Sequence, residues 1–498
     1  MLTYHLEDRG TLPLYEYLYQ CIRQDILNGH LKKDEKLPSK RSFAKHLDIS
    51  VVTIETAYAQ LQIEGYIYSK EKSGFFVSDI REMSLPVGTT ISSLSAFTTG
   101  QTVSAPNGKH NHFCNTAGAY LASGSAGTLS DAPTQHYFAD FQTNRIADDS
   151  FPFSVWSRLS REVLSDKEPE LLKAQPSNGS ARLREAISEY LYRFRGMQVV
   201  PEQIFIGAGT EYLYSLLVQL IGRDLVYAVE DPGHRKVAEI LTSNGVHCEH
   251  IPLDAYGLSC KALAESTASV VHISPAHHFP TGIIMPIRRR QELLDWAYKQ
   301  ENRYIIEDDY DSEFRFQGRP IQPLQSIDTN DRVIYINTFS KSLTPSIRIS
   351  YMVLPWTLVK RFHKSLSFYS CTVSGFEQYT LAAFISRGYY EQHINRMRNA
   401  YKTKRNLVIQ ALKNSPLAPV ARIHEENSGL HFLLELQTDF TDDELIASAA
   451  RCGIKITCLS KYYQTDDTRR QHTFILNYSG VENDRIPEAI ERLAGIMK

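Results

Sequence analysis

The chain is 498 residues long, 42% hydrophobic, with a formal net charge of −2 at pH 7. That length predicts more than one domain with sizeable cores, and the near-neutral total excludes a uniformly basic or acidic surface, so charge must be read locally. The seven cysteines are scattered without a CxxC pair, which excludes a disulfide scaffold and the common zinc and redox spacings.

No apolar run approaches the ~20 residues that span a bilayer. The opening MLTYHLEDRG lacks the basic-then-apolar design of a signal peptide. A cytoplasmic protein without membrane contact is expected.

Residues 11–79 read as a small helical domain with a β wing. Leu14, Leu18, Cys21, Ile22 and Ile26 follow helical spacing after Pro13, and Asn28-Gly29 end the run. Ser39 is placed to cap a second helix with Phe43, Ala44 and Leu47 inward. Ser50 starts a third, with Ile54, Ala57, Tyr58 and Leu61 on its buried stripe. Two β-rich runs follow, Tyr66–Tyr68 and Phe75–Val77, so the pattern predicts a winged helix-turn-helix.

The stretch LPSKRSFAKHL, the serine-started helix and EGYIYSKEKSGFFV together resemble the DNA-binding domain of the GntR regulators. The resemblance implies double-stranded DNA as partner. It places Ser39, Lys40 and Arg41 on the DNA backbone, Ser50 and Thr53 at the start of the recognition helix, and the Gly74 wing at a minor groove. Lys32, Lys33, Lys36, Lys40, Arg41 and Lys45 form a local basic run suited to phosphate. The recognition helix, SVVTIETAYAQL, has no lysine or arginine, and Val51 stands where the family usually has arginine. Base readout then falls to Thr53, Thr56 and apolar contacts with thymine methyls. The other reading of these residues is a winged helix that binds protein.

Periodicity disappears over residues 80–135, which are rich in Ser, Thr, Gly and Ala. A connection so much longer than the usual ~4–6 residues predicts a flexible linker.

From residue 136 to 498 apolar density returns. Strand signals at Ile204–Ile206, Leu225–Val229, Val270–Ile273, Tyr304–Ile306 and Val333–Ile336 alternate with helical stretches. That alternation predicts an α/β domain with a mostly parallel sheet. Gly207-Ala208-Gly209-Thr210 lies between a strand and a helix, where backbone N–H groups and the helix dipole favour an anion.

Two strand ends carry candidate chemistry. RVIYINTFSKSLTPSIR ends a buried strand in Thr338, Ser340 and Lys341, followed by Arg348. A desolvated lysine there has a lowered pKa and can condense with an aldehyde, while hydroxyls and an arginine fork suit a phosphate. This combination suggests pyridoxal 5'-phosphate (PLP); the alternative is a surface turn with an ordinary lysine. RYIIEDDYDSEF ends in Glu307, Asp308, Asp309 and Tyr310. A carboxylate at a strand's carboxyl end can hold a pyridine nitrogen protonated. The competing readings are a solvated acidic loop or a metal site drawing on His277-His278; no metal is expected.

Taken in order, Phe205–Thr210, EDPGHRK, SPAHHFPTGIIMP, IIEDDYDSEF and NTFSKSLTPSIRISYMVLP resemble the fold-type-I aminotransferases. Joined to the head, they resemble the MocR subfamily of GntR regulators. The resemblance implies a large PLP-binding domain with a small C-terminal α+β lobe. It implies that Lys341 carries PLP as a Schiff base, Asp308 binds the pyridine nitrogen and Tyr310 the phenolate oxygen. Arg348, Thr338 or Ser340, and the Gly209-Thr210 backbone would hold the phosphate, and His234 would stack on the ring. It further implies a domain-swapped homodimer, with each head near the partner's body and two heads on two half-sites.

Aminotransferases also place an arginine near the C-terminus for the substrate carboxylate. The matching stretch here, FILNYSGVEN, offers Asn477, Tyr478, Ser479 and Gly480, with Arg235, Lys236 and Arg422 as possible substitutes. SGLHF, residues 428–432, reads as a turn and strand of the small lobe with a structural histidine. The expected function is a PLP-dependent transcriptional regulator sensing either PLP itself or an amino compound. The competing reading is an active aminotransferase with an accessory head. The missing arginine favours PLP as the signal and a sensor over an enzyme.

Overall fold

The computed structural model describes residues 2, 4–10, 12–70, 73–80, 137–143, 150–165, 169–316, 320–427, 429–465 and 471–497. The connector expected over 80–135 lies outside these residues apart from residue 80.

The head contains helices Leu14–Leu27, Lys40–Leu47 and Val51–Ile63, followed by an antiparallel hairpin of Ile67–Lys70 and Gly74–Val77. Its helix starts are fixed by chemistry visible in the sequence. The Ser39 hydroxyl accepts from the Ser42 N–H and the Ser50 hydroxyl from the Val52 N–H, satisfying donors left open at a first turn. Leu18, Ile22, Phe43, Ile54, Tyr58 and Leu61 are fully buried, each contributing roughly 1.5–3 kcal/mol.

The body is built on an eight-stranded sheet among the described residues. Its order is Ile204–Gly207, Ser350–Val353, Val333–Thr338, Tyr304–Asp308, Val270–Ile273, Tyr227–Asp231, Cys248–Asp254 and Gly257–Leu258. The five strands from Val333–Thr338 to Cys248–Asp254 run parallel, while Ser350–Val353 runs antiparallel to both neighbours. The strands read as apolar runs because both faces are covered. Within Val333–Thr338, Ile334 and Ile336 enter one core and Tyr335 enters the other, as the two-residue period of a strand requires.

The small lobe is a three-stranded antiparallel sheet of Ala421–His424, His431–Leu436 and Thr473–Asn477. The 26-residue helix Tyr389–Asn414 and the helices Asp442–Arg451 and Ile486–Ala494 complete it. No helix among the described residues is long and apolar enough to cross a membrane.

The head packs on the body. At the end of the third head helix, the Glu64 carbonyl accepts from the Ile287 N–H at 2.9 Å. The next residue, Gly65, has φ 79°, and a Cβ on it would stand 2.8 Å from Pro286 Cβ. Only glycine combines that left-handed backbone with so close an approach. Buried Arg290, one turn into the same body helix, donates to the carbonyls of Met285, Pro275 and Gln322. It thereby braces the loop that leads back from the docking point to the sheet.

Candidate functional site

The parallel strands deliver their carboxyl ends to one edge of the sheet, where an α/β fold collects ligands. Val333–Thr338 ends three residues before Lys341, and Tyr304–Asp308 ends on Asp308 itself. Burial lowers the Lys341 amine below its ordinary pKa, Lys236 adds to the depression, and Asp311 and Asp308 oppose it. The amine is therefore less protonated than a surface lysine and correspondingly more nucleophilic.

Strand alternation sorts the three acidic residues at the neighbouring strand end. Glu307 is fully buried and accepts from the N–H groups of Leu324 and Gln325 at 2.6 and 2.9 Å. Asp309 pairs with buried Arg195 and accepts from the Tyr335 hydroxyl at 2.6 Å. Both are engaged in holding the fold. Asp308, on the opposite face, accepts from the Tyr214 hydroxyl at 2.9 Å, with His272 Nε2 3.6 Å away. Its other oxygen is buried without a hydrogen-bond partner. An unsatisfied buried carboxylate oxygen carries a desolvation cost, and a donor from a ligand would remove it.

Tyr310 lies beside a second polar pair. Its hydroxyl is 3.3 Å from His277 Nδ1, which lies 2.9 and 3.1 Å from the Asp311 carboxylate oxygens. Burial, then the Asp311 charge, raises the Tyr310 hydroxyl well above its ordinary value, so it remains a donor. Gly429 of the small lobe presses on this imidazole, since a Cβ there would stand 1.9 Å from His277 Cε1. Small lobe and strand end thus meet at His277.

The anion end of the cleft is the turn before helix Thr210–Ile221. Gly209 has φ 93°, and a Cβ on it would lie 2.3 Å from Arg348 Nη2. Glycine is what lets the guanidinium lie across the helix start. The Gly209 N–H itself donates back to Gly207 at 2.9 Å. Thr338 points inward, its hydroxyl oxygen accepting from the Ser340 N–H at 3.1 Å and the Ser350 hydroxyl at 2.8 Å. Ser340 is half-buried beside it.

Rings line the remaining wall. His234 stands 5.4 Å from Phe279, centroid to centroid, and Phe279 stands 5.4 Å from His431 and 5.3 Å from Tyr462. His431, expected as a structural residue of the small lobe, is within electrostatic range of Lys341 and so borders the cleft. In the stretch where aminotransferases place a carboxylate arginine and this chain has none, Ile475 packs with Leu433 and Leu459. The Asn477 side-chain oxygen accepts from the Ser479 N–H and hydroxyl. Arg235 pairs with Glu239 at the surface and Lys236 with Glu211, while Arg422 is exposed on the Ala421–His424 strand.

Sequence reasoning passed over Tyr214, His272, Glu211, Phe279 and the His277–Asp311 pair. Tyr214 sits one turn into the helix that follows the glycine turn, and that place is its one local signal; its hydroxyl lies against Asp308 and His272. No group of three or more metal-ligating side chains occurs among the described residues. The site histidines engage instead with neighbours such as Asp311, Thr281 and Tyr214.

On the head, Ser39, Arg41 and Ser50 are exposed and Thr53 is half-buried. Val51 and Val52 are 40% and 66% exposed at the start of helix Val51–Ile63, the one expected to read bases; an apolar surface there suits thymine methyls. The Thr56 hydroxyl donates to the Val52 carbonyl at 2.9 Å, so outward it retains only acceptor capacity. Lys40 pairs with Glu55 at 2.6 Å. Gly74 has φ 113° where the second wing strand begins.

Comparison with known proteins places both halves. The family of bacterial regulatory proteins, gntR family, matches residues 14–77, and aminotransferase class I and II matches residues 140–493. The HTH-type transcriptional regulator YdeL of Bacillus subtilis is 37% identical over 491 residues, covering 98% of this chain and 97% of that protein. The probable rhizopine catabolism regulatory protein MocR of Rhizobium meliloti is 31% identical, covering 98% and 94%. Among solved structures, the kynurenine aminotransferase of Pyrococcus horikoshii superposes with a TM-score of 0.63 at 23% identity, covering 73% of this chain and 91% of that one. The match with whole regulators extends through the head, whereas the match with the enzyme is one of fold. The chain therefore belongs to the MocR-type transcriptional regulators of the gntR family, in which a DNA-binding head is joined to an aminotransferase-like body.

Proposed function

We propose that the body binds PLP at Lys341 and that occupancy of this site, rather than turnover, is the signal passed to the DNA-binding head. The observation that carries the reading is Asp308. It is a half-buried carboxylate held by Tyr214, with its one buried oxygen lacking a partner, at the strand end beside a lysine whose pKa burial has lowered.

The residues present fit the cofactor. Asp308 would keep the ring nitrogen protonated, Tyr310 would donate to the phenolate oxygen, and Arg348 with the helix start after Gly209 would take the phosphate. Ser340 and Thr338 border that end, and His234 and Phe279 offer ring faces. When bound, PLP supplies an electrophilic carbonyl for primary amines and a protonated ring that withdraws electrons. Lys341 contributes the amine that retains it.

Two features favour PLP over an amino acid as the signal. The stretch where aminotransferases place the carboxylate arginine offers Asn477, Tyr478, Ser479 and Gly480 instead, with the Asn477 side-chain oxygen taken by Ser479; Arg235 is paired with Glu239, Lys236 with Glu211, and Arg422 faces solvent. Without a guanidinium fork, an α-carboxylate lacks its best partner. The protein would act in the cytoplasm as a homodimer, two heads meeting two half-sites. The contact between Glu64-Gly65 and Pro286-Ile287 would then form between subunits in a swapped arrangement.

Visible absorbance tests the cofactor claim. Wild-type protein incubated with PLP should gain a band that survives gel filtration, and Lys341→Ala should lack it. A colourless wild type would overturn the proposal. Addition of amino acids should not produce keto acid; sustained production would return the reading to an enzyme.

A further inference from the structure

The cations at the phosphate end of the cleft already hold an anion. Glu211, in the first turn of helix Thr210–Ile221, lies with one carboxylate oxygen 2.5 Å from Lys236 Nζ and the other 2.8 Å from Arg348 Nη2. The same carboxylate faces the Glu211 backbone N–H. It therefore engages a guanidinium, an ammonium and a helix-start N–H, the three kinds of donor a phosphate would use there.

An acidic residue in a first helical turn gains from the helix dipole without further purpose. Glu211 goes beyond that, because its two oxygens bridge cations from separate elements, the helix Arg235–Ser243 and the loop ending at Arg348. Gly209 permits the arrangement: a Cβ there would stand 2.3 Å from Arg348 Nη2 and 2.8 Å from Glu211 Oε2. Burial raises the carboxyl, but Lys236, the backbone N–H and Arg348 outweigh it and bring its pKa to about 2. At neutral pH it is ionised. Its side chain is a third exposed, so it can swing toward solvent once its partners are taken.

We infer that Glu211 is a built-in competitor for the phosphate of the ligand, holding Arg348 and Lys236 when the site is empty and released when phosphate binds. The inference rests on the PLP reading and deepens it. A site built only to retain its cofactor would leave those cations open to phosphate. A site that must respond to changing cofactor level needs weaker retention, and an internal carboxylate on the phosphate donors provides it. The competition acts on the phosphate alone, so it weakens PLP and leaves the unphosphorylated form untouched.

The test titrates PLP and pyridoxal separately into wild type and Glu211→Gln, following visible absorbance. The glutamine keeps the volume and loses the charge. PLP should bind about tenfold more tightly to the variant, a difference of about 1.4 kcal/mol, with pyridoxal unchanged. Inorganic phosphate should compete with PLP at lower concentration in Glu211→Gln than in wild type, and Glu211→Ala should shift PLP binding in the same direction. Unchanged or weaker PLP binding by Glu211→Gln would overturn the inference, as would equal tightening of pyridoxal. If wild type and variants all fail to bind PLP, the cofactor reading falls and this inference falls with it.

Discussion

The Glu64 carbonyl, at the end of the third head helix, accepts a hydrogen bond from the backbone N–H of Ile287 at the first turn of a body helix. Residues 274–286 lead from the Val270–Ile273 strand to that turn, and on the way they present His277, His278 and Phe279 to the cleft. One loop therefore touches both the candidate ligand site and the third helix of the DNA-binding head. Coupling of this kind requires the ligand to favour one arrangement of the loop, typically by 1–3 kcal/mol.

Gly65→Ala tests the contact. Its left-handed backbone would cost about 1–2 kcal/mol in an L-residue, and its methyl would meet Pro286 at 2.8 Å. Hydrogen exchange at the Ile287 amide should accelerate, and PLP affinity should shift by no more than the coupling energy, about 1–3 kcal/mol. Unchanged exchange would mean that the contact is not maintained in solution.

Tyr214→Phe removes the hydroxyl that holds Asp308. Loss of a hydrogen bond to this half-buried carboxylate should weaken PLP binding about tenfold and destabilise the fold by about 1–2 kcal/mol. Absorbance titration and urea unfolding measure the two effects separately. An undiminished PLP affinity would count against Asp308 as the ring-nitrogen partner.

Glu230 predicts a pH dependence. Burial raises its carboxyl from 4.5 to about 8, with Asp308 adding to the shift and the Ser274 N–H opposing it. Because the folded pKa lies above the unfolded one, the native state binds the extra proton. Stability is then greatest below pH 4.5 for this group and is lost as pH rises toward 8. Glu230→Gln keeps an acceptor for Ser274 and needs no proton. Without PLP, it should be more stable than wild type by a few kcal/mol at pH 8, with little difference at pH 5. Urea unfolding at both values checks the sign.

On the head, Lys40 is held by Glu55. Glu55→Gln should free the ammonium for phosphate and tighten operator binding several-fold at low salt, with a steeper salt dependence. Arg41→Ala should reduce the salt slope by about 1. Fluorescence anisotropy across a salt series reads both; a slope insensitive to Arg41 would remove it from the DNA interface.

Much of this architecture was legible in local sequence. Ser39 and Ser50 could be placed as caps because capping depends on neighbours within three residues. The apolar strands could be placed because a doubly covered sheet leaves no polar alternation. Lys341 and the acidic run Glu307-Asp308-Asp309 could be marked as candidates because each stands at the end of such a strand; the choice of Asp308 among the three came from the resemblance. What holds those residues was not legible. Tyr214 and Asp308 are 94 positions apart, and Arg348 and Glu211 are 137. The inward turn of Thr338 toward Ser350 likewise depends on strand pairing, as does the place of Ile475 in an apolar cluster. The docking of Gly65 on Pro286 arises from the packing of two domains, to which no periodicity points.

The central claim, that PLP occupancy at Lys341 sets the behaviour of the head, is tested most directly by titrating PLP into protein bound to its own promoter DNA, with no amine present. Wild type should show a PLP-dependent change in operator affinity with a midpoint at its PLP Kd, and Lys341→Ala should bind the operator without responding. An operator affinity indifferent to PLP in the wild type, or an equal response in Lys341→Ala, would contradict the account.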